Sequence, residues 1–244
     1  MPAYNETGHA INVANSEKLT VEVTSFGTAY NPSKLSLKTA QLTIETNKAK
    51  AALLDVVSKN TIFNNITNTR SDLFDSLRPL STRIVNTFIA SGATPQKIKD
   101  AKVFLRKIQG KRATPIKNLP VNPEAPAPVS ISASQQSYTQ ITMHFAGLLD
   151  LVKSEAGYTP NEADLKIAAL DAKYADLNAK NTAVLNAHTA VSKARINRDK
   201  ILYTEGTGIV DNAKLVKTYV KGAFGSTSME YKKVSAIKFR IVKQ

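Results

Sequence analysis

Apolar side chains recur at a helical spacing in both halves of the chain. Steps of four and three residues alternate along one stretch of the second half, at Leu170, Tyr174, Leu177, Asn181, Val184, His188 and Val191. The first half carries matching positions at Leu42, Thr46, Ala49, Leu53, Val56, Asn60 and Phe63. This spacing lines one side of an α-helix, so it predicts a long helix in each half. Residues 18–26 alternate as a strand would, but the corresponding residues 145–152 have a helical pattern, and we predict helix for both.

The two halves are also similar in sequence. Residues 30–70 align with residues 158–198 without a gap at an offset of 128, and ten of the 41 positions are identical. Chance would give roughly three identities for an average composition. The similarity predicts a tandem duplication, with one helical repeat at 1–113 and a second at 137–244. Between them, residues 114–136 are rich in Pro and Ser and are predicted to form an extended linker.

Proline and glycine divide the helical pattern of each repeat. Pro79 interrupts the first repeat, and Gly206 and Gly208 fall at nearly the same place in the second. We predict a kink or a break at both places. Thr159-Pro160 and Thr227 have the sequence of helix N-caps and predict helix starts. The predicted fold is therefore all-α, with about four helices per repeat: a short one, two long antiparallel ones and a short basic one.

The positive charge is concentrated in equivalent parts of the two repeats. The chain has 33 Lys and Arg against 19 Asp and Glu, a formal net charge of +14. Segments 95–117 and 214–244 each hold eight cationic residues and one acidic residue, so together they carry all of this charge. A basic patch attracts anionic polymers and surfaces, although lysines also serve solubility alone. The candidate anion- or nucleic-acid-binding residues are Lys97, Lys99, Lys102, Arg106, Lys107, Lys111, Arg112, Lys217, Lys221, Lys232, Lys233, Lys238 and Arg240.

The sequence offers little that could perform chemistry. It has no Cys, and its three His (His9, His144 and His188) lie far apart, so we expect no metal and no cofactor. Gly110-Lys111-Arg112 lacks the remaining residues of a phosphate loop. Arg70 and its counterpart Arg198 fall on the helical stripe, where we predict structural clamps that need a carboxylate or a helix C-terminus. No convergent acid, base and nucleophile stand out, so we do not predict an enzyme.

Two functional hypotheses remain. The first is a non-enzymatic helical repeat protein that docks through its basic segments on an anionic partner, in the first place nucleic acid bound without sequence specificity. The alternative is a structural or assembly protein, such as a scaffold, particle or filament subunit, that self-associates and uses the basic segments for solubility or subunit contacts. Either is expected to be cytoplasmic, because no membrane span or signal sequence is evident and Cys is absent.

Overall fold

Seven α-helices and three short 3₁₀ turns account for the secondary structure in the computed structural model, which describes residues 6–111 and 136–242. No strand occurs in these ranges, so the predicted all-α class is confirmed, including helix over residues 18–25. Of the predicted linker, only Gln136 lies within the described residues. The helices are α1 (Glu6–Ser25), α2 (Thr39–Ala90), α3 (Pro95–Ile108), α4 (Tyr138–Lys153), α5 (Ile167–Tyr203), α6 (Ile209–Phe224) and α7 (Met229–Ala236).

Helix α2 continues through Pro79, so of the predicted kink or break the break does not occur. Pro79 itself is exposed, so its ring lies off the buried face of the helix. The buried residues also stay on one face of the helix across the proline, because Leu77 before it and Ser81 and Ile84 after it are all buried. Burial of one continuous face therefore outweighs the local cost of the proline. Two long helices are predicted for the first repeat, whereas the structure has one long helix there, of 52 residues.

The predicted break at Gly206 and Gly208 is confirmed, because α5 ends at Tyr203 and α6 begins at Ile209. Gly206 has a φ of +73°, a conformation that favours glycine. At Gly208 an added Cβ would lie 2.8 Å from the Leu202 carbonyl oxygen and from the Thr204 nitrogen. The turn therefore requires both glycines. Gly206 adopts a positive φ, and Gly208 leaves room for the backbone of Leu202 and Thr204.

Two predicted helix starts are displaced. A 3₁₀ turn at Ala163–Leu165 follows Thr159-Pro160, and α5 begins only at Ile167. The buried hydroxyl of Tyr158 donates to the Leu165 carbonyl and holds this loop in place. Helix α7 is capped by Ser228 rather than Thr227, since the Ser228 hydroxyl accepts from the Tyr231 N–H at 3.1 Å.

The first compact unit comprises Met1–Phe63 and Ala187–Gln244. Its largest apolar cluster joins α1, the loop before α2, the start of α2, and α6 with α7. Separately, Val13 of α1 packs with Ala49 of α2 and Leu202 of α5. The buried members of the larger cluster are Leu19, Val23, Tyr30, Leu37, Leu42, Ala213, Val216, Val220, Val234 and Ile237.

The second compact unit comprises Asn64–Asn186. Its core joins the later part of α2 to α3, α4 and the beginning of α5. Its most buried residues, each with no more than 1% of its surface exposed, include Leu77, Ile84, Phe88, Ala101, Ile108, Phe145, Leu148, Val152, Leu170 and Leu177. Each compact unit is therefore assembled from the earlier part of one predicted repeat and the later part of the other.

Equivalent contacts recur at the 128-residue offset. The Tyr30 hydroxyl donates to the Leu37 carbonyl at 2.8 Å, and the Tyr158 hydroxyl donates to the Leu165 carbonyl at 3.1 Å. Burial raises the pKa of both phenols, that of Tyr158 to about 12. Helices α2 and α5 also begin 128 residues apart. Across the described ranges, no helix combines the length and apolar character needed to cross a bilayer.

Candidate anion-binding surfaces

Helix α3 presents the first group of predicted site residues. Thr94 caps the helix, with its hydroxyl accepting from the Lys97 N–H, and Pro95 occupies the first position. Ala101 and Ile108 are buried in the second unit, where α3 packs against α4. Close packing is possible because Phe104 lies over Gly147, at which an added Cβ would come within 2.5 Å of the ring. The cationic residues between these anchors are left on the outer side of the helix.

Lys99, Lys102 and Arg106 form the α3 cationic face. Their spacing of three and four residues places them on one side of the helix. Lys99 and Lys102 are exposed and Arg106 is half-buried. None of the three forms an ion pair with another described residue. Lys107 and Lys111 are also exposed, and Arg112 lies outside the described residues.

Lys97 has a different environment from the rest of its segment. Its ammonium donates to the Ser154 carbonyl at 3.1 Å and to Glu155 Oε2 at 3.0 Å. The hydrogen bond from Lys97 is the main reason that the pKa of Glu155 lies below its usual value. This cation therefore closes the C-terminal end of α4 and is already neutralised inside the second unit.

The second group of predicted site residues lies in the first unit, on α6, α7 and the segment that follows. Lys217 donates to the Ile237 carbonyl and lies 5.3 Å from the centre of the Phe239 ring. Burial, and secondarily the charge of Lys238, lower the pKa of Lys217. Lys221 lies 5.9 Å from the Tyr231 ring centre. These contacts fix both lysines against aromatic faces.

The other four cations of this group are exposed to solvent: Lys232, Lys233, Lys238 and Arg240. Lys238 also donates to the Ser235 carbonyl at 3.2 Å. Lys233 lies 3.9 Å from Glu22, so its charge is partly balanced. The two predicted basic segments belong to different compact units, and each offers several exposed cations.

A buried polar cluster in the first unit was not found from the sequence. Asn12 is fully buried in α1 and bonds both to the backbone of Arg240 and to the Tyr203 hydroxyl. His9 Nδ1 lies 2.8 Å from the same hydroxyl and 3.8 Å from Asp199 Oδ1. Polar residues of a helix are usually exposed, so no feature of the sequence distinguishes Asn12 from its neighbours.

The two predicted arginine clamps have different partners. Arg198 is 1% exposed, and its Nε and Nη2 both lie 2.9 Å from Asp199 Oδ1. This is the carboxylate partner that the sequence led us to expect. Arg70 instead lies over the Tyr138 ring at 4.0 Å, and its buried Nε has no hydrogen-bond partner. Equivalent positions of the two predicted repeats thus hold one buried ion pair and one cation–π contact.

In the part of the chain that the structure describes, no group of three or more His, Cys, Asp or Glu residues could hold a metal ion. His188 is exposed and contacts the Phe63 ring, with centroids 5.8 Å apart. His144 is buried in α4, and its Nε2 has no hydrogen-bond partner. Burial, and secondarily the charge of Lys107, lower the pKa of His144 from 6.5.

The free energy of unfolding is expected to fall as the pH drops below this value. Below pH 6.5 the imidazole of residue 144 takes up a proton more readily in the unfolded chain than in the folded protein. The free energy of unfolding therefore rises with pH and levels off above 6.5. The slope from this one group is at most about 1.4 kcal/mol per pH unit. Urea unfolding of the wild type and His144→Leu between about pH 5 and pH 8 measures it. A difference between the two proteins that stays constant over this range would contradict the prediction.

No family model, curated protein or solved structure matches the chain.

Proposed function

We propose that this protein is a non-enzymatic helical repeat protein that docks on nucleic acid without sequence specificity. The α3 cationic face carries the proposal, because Lys99, Lys102 and Arg106 share one side of a helix and form no ion pair with a described residue. Their charges are available to an external anion. The exposed Lys232, Lys238 and Arg240 of the first unit provide a second cationic group.

The proposed mechanism is phosphate neutralisation. Each lysine or arginine that meets a phosphate releases condensed counterions, which favours binding without contact to a base edge. Lys97 and Lys233 face carboxylates and Lys217 is half-buried, so we expect these three to contribute less than the exposed cations that have no carboxylate partner among the described residues. Another anionic polymer or surface would be bound by the same mechanism.

A salt titration tests this proposal directly. Binding of the full chain to a mixed-sequence RNA and to duplex DNA is measured by fluorescence anisotropy between about 50 and 300 mM salt. We expect micromolar affinity, with a slope of several ions in a plot of log affinity against log salt, for more than one sequence. Absence of binding at the lowest salt would reject nucleic acid as the partner.

The second candidate function is assembly, and an exposed apolar group on α2 favours it. Leu54 and Val57 are 69% and 61% exposed, and Ile44 and Ile62 are exposed as well. Neighbouring copies of the chain would cover such residues in a scaffold, particle or filament. Light scattering on the same samples distinguishes the two candidates. A mass well above 26.5 kDa without nucleic-acid binding supports assembly, with the basic segments serving solubility or subunit contacts.

We also propose that the chain arose by tandem duplication of a repeat of about four helices, joined by a Pro/Ser-rich linker. The matched tyrosine–carbonyl bonds and the matched starts of α2 and α5 support the duplication. A cytoplasmic location, inferred from the sequence, completes the proposal.

A further inference from the structure

The segment after α7 is extended and lies along α1. Residues 238–242 have no helical structure, and exposure alternates from Ile237 to Arg240. Ile237 is buried and Phe239 is half-buried, whereas Lys238 and Arg240 are exposed. We call residues 237–242 the basic strap. It presents two of the predicted site residues on its outer side.

Asn12 of α1 holds the strap as a neighbouring β-strand would. Its Oδ1 accepts from the Arg240 backbone N–H at 3.0 Å, and its Nδ2 donates to the Arg240 carbonyl at 2.6 Å. The second Nδ2 proton is directed to the Tyr203 hydroxyl, 3.1 Å away. Both amide protons and the carbonyl oxygen of this fully buried side chain are therefore used. Rotating the amide by half a turn would set oxygen against oxygen at Arg240, so the network also fixes its orientation.

Further contacts continue the attachment on both sides of Arg240. Asn15, one turn along α1, donates from Nδ2 to the Lys238 carbonyl at 2.7 Å. Val242 packs on Gly8, where an added Cβ would lie 2.7 Å from Val242 Cγ2. On the other edge, Lys217 donates to the Ile237 carbonyl. The strap is thus held by side chains along its length, and Asn12 makes the only pair of bonds to one strap residue among the described contacts.

We propose that Asn12 is a positioning residue for the polyanion-binding surface of the first unit. By fixing the backbone of Arg240, it holds the Lys238 and Arg240 side chains in place before the anion arrives. A preorganised cation binds more tightly than one that must be ordered during binding. This inference depends on the proposed function, because it assigns Asn12 a part in the same interaction.

The test compares three variants of the full chain. Asn12→Ala releases the strap and keeps both cations. Lys238→Gln/Arg240→Gln removes the charges and keeps the backbone bonds. Tyr203→Phe is the matched control, because it removes a hydroxyl from the same buried cluster but leaves both bonds from Asn12 to Arg240. Each variant is measured by its affinity for a mixed-sequence RNA at several salt concentrations. Trypsin cleavage after Lys238 and Arg240, read by intact mass, is measured for the wild type, Asn12→Ala and Tyr203→Phe, because the double Gln variant lacks both cleavage sites.

We expect Asn12→Ala to bind RNA about tenfold more weakly with an unchanged salt slope, because the same counterions are released. The double Gln variant should instead lose about two units of slope. Tyr203→Phe should unfold at a lower urea concentration and bind as the wild type does. Without RNA, trypsin should cleave the strap rapidly in Asn12→Ala and slowly in the wild type.

The outcomes separate the inference from the function on which it depends. Equal affinity of folded Asn12→Ala and the wild type would overturn the positioning role and leave nucleic-acid binding in place. A wild type that does not bind RNA would overturn both, and slow cleavage of Asn12→Ala would overturn the attachment itself. If Asn12→Ala does not fold, Asn15→Ala provides the same test at a half-buried position, with faster cleavage after Lys238 and about twofold weaker binding expected.

Discussion

Reversing Lys99, Lys102 and Arg106 together to Glu is expected to lower the affinity for mixed-sequence RNA by at least about 100-fold at 50 mM salt. The three side chains share one side of α3, and their reversal removes three phosphate contacts and adds repulsion. The slope of log affinity against log salt should fall by about three. Lys97 is left unchanged, because removing it would break its ion pair with Glu155 and disturb packing as well as charge.

A matched control variant separates the effect of where the cations lie from the effect of the net charge on RNA affinity. Lys38, Lys166 and Lys193 are exposed and lie outside the two basic segments. Reversing these three to Glu changes the net charge by the same amount but leaves the α3 cationic face intact. We expect a much smaller loss of affinity, and circular dichroism should show equal helicity for both triple variants. Equal losses would show that binding follows net charge and would reject the α3 cationic face as a site.

Arg198→Met is expected to lower the free energy of unfolding by about 3–5 kcal/mol. The guanidinium is buried against Asp199, whose side chain is only 11% exposed, so its removal takes a cationic partner from a mostly buried carboxylate. Urea unfolding followed by circular dichroism measures the change. Removing the carboxylate charge as well, in Arg198→Met/Asp199→Asn, should recover a large part of the lost free energy of unfolding.

The equivalent arginine of the other predicted repeat is the control. Arg70→Met removes a cation–π contact with Tyr138 at a half-buried position, and we expect it to cost about 1 kcal/mol. Methionine keeps most of the aliphatic contact at both positions, so the difference between the variants reports on the charge. Similar costs for the two variants would contradict the role assigned to the Arg198–Asp199 pair.

Most helical segments follow from local sequence. The apolar spacing from Leu170 to Val191 predicts α5, and the glycines at 206 and 208 predict the break before α6. These features depend on neighbours within a few residues, where helical geometry and backbone sterics are decisive. Pro79 is the exception, because the helix continues through it. The sequence shows the local cost of the proline, but it does not show the continuous buried face that outweighs this cost.

The cationic residues of the candidate site could be predicted from the sequence, but their partners within the protein could not. The sequence identifies both basic segments, because charge is a property of the residues themselves. It does not show that Lys97 meets Glu155, that Lys217 meets the Ile237 carbonyl, or that Asn12 holds Arg240. These partners are separated by 20 to 228 residues, so the contacts exist only after the helices have packed.

The sequence by itself determined an all-helical chain, an internal similarity at a 128-residue offset and the two places where positive charge collects. Each of these depends on residue identity and on spacing along the chain. Only the tertiary structure decided which helices share a core, and it combined the earlier part of each predicted repeat with the later part of the other. It also decided which cations remain exposed. Both outcomes depend on burial and on pairing between distant segments, and the spacing of residues along one segment does not specify its partner.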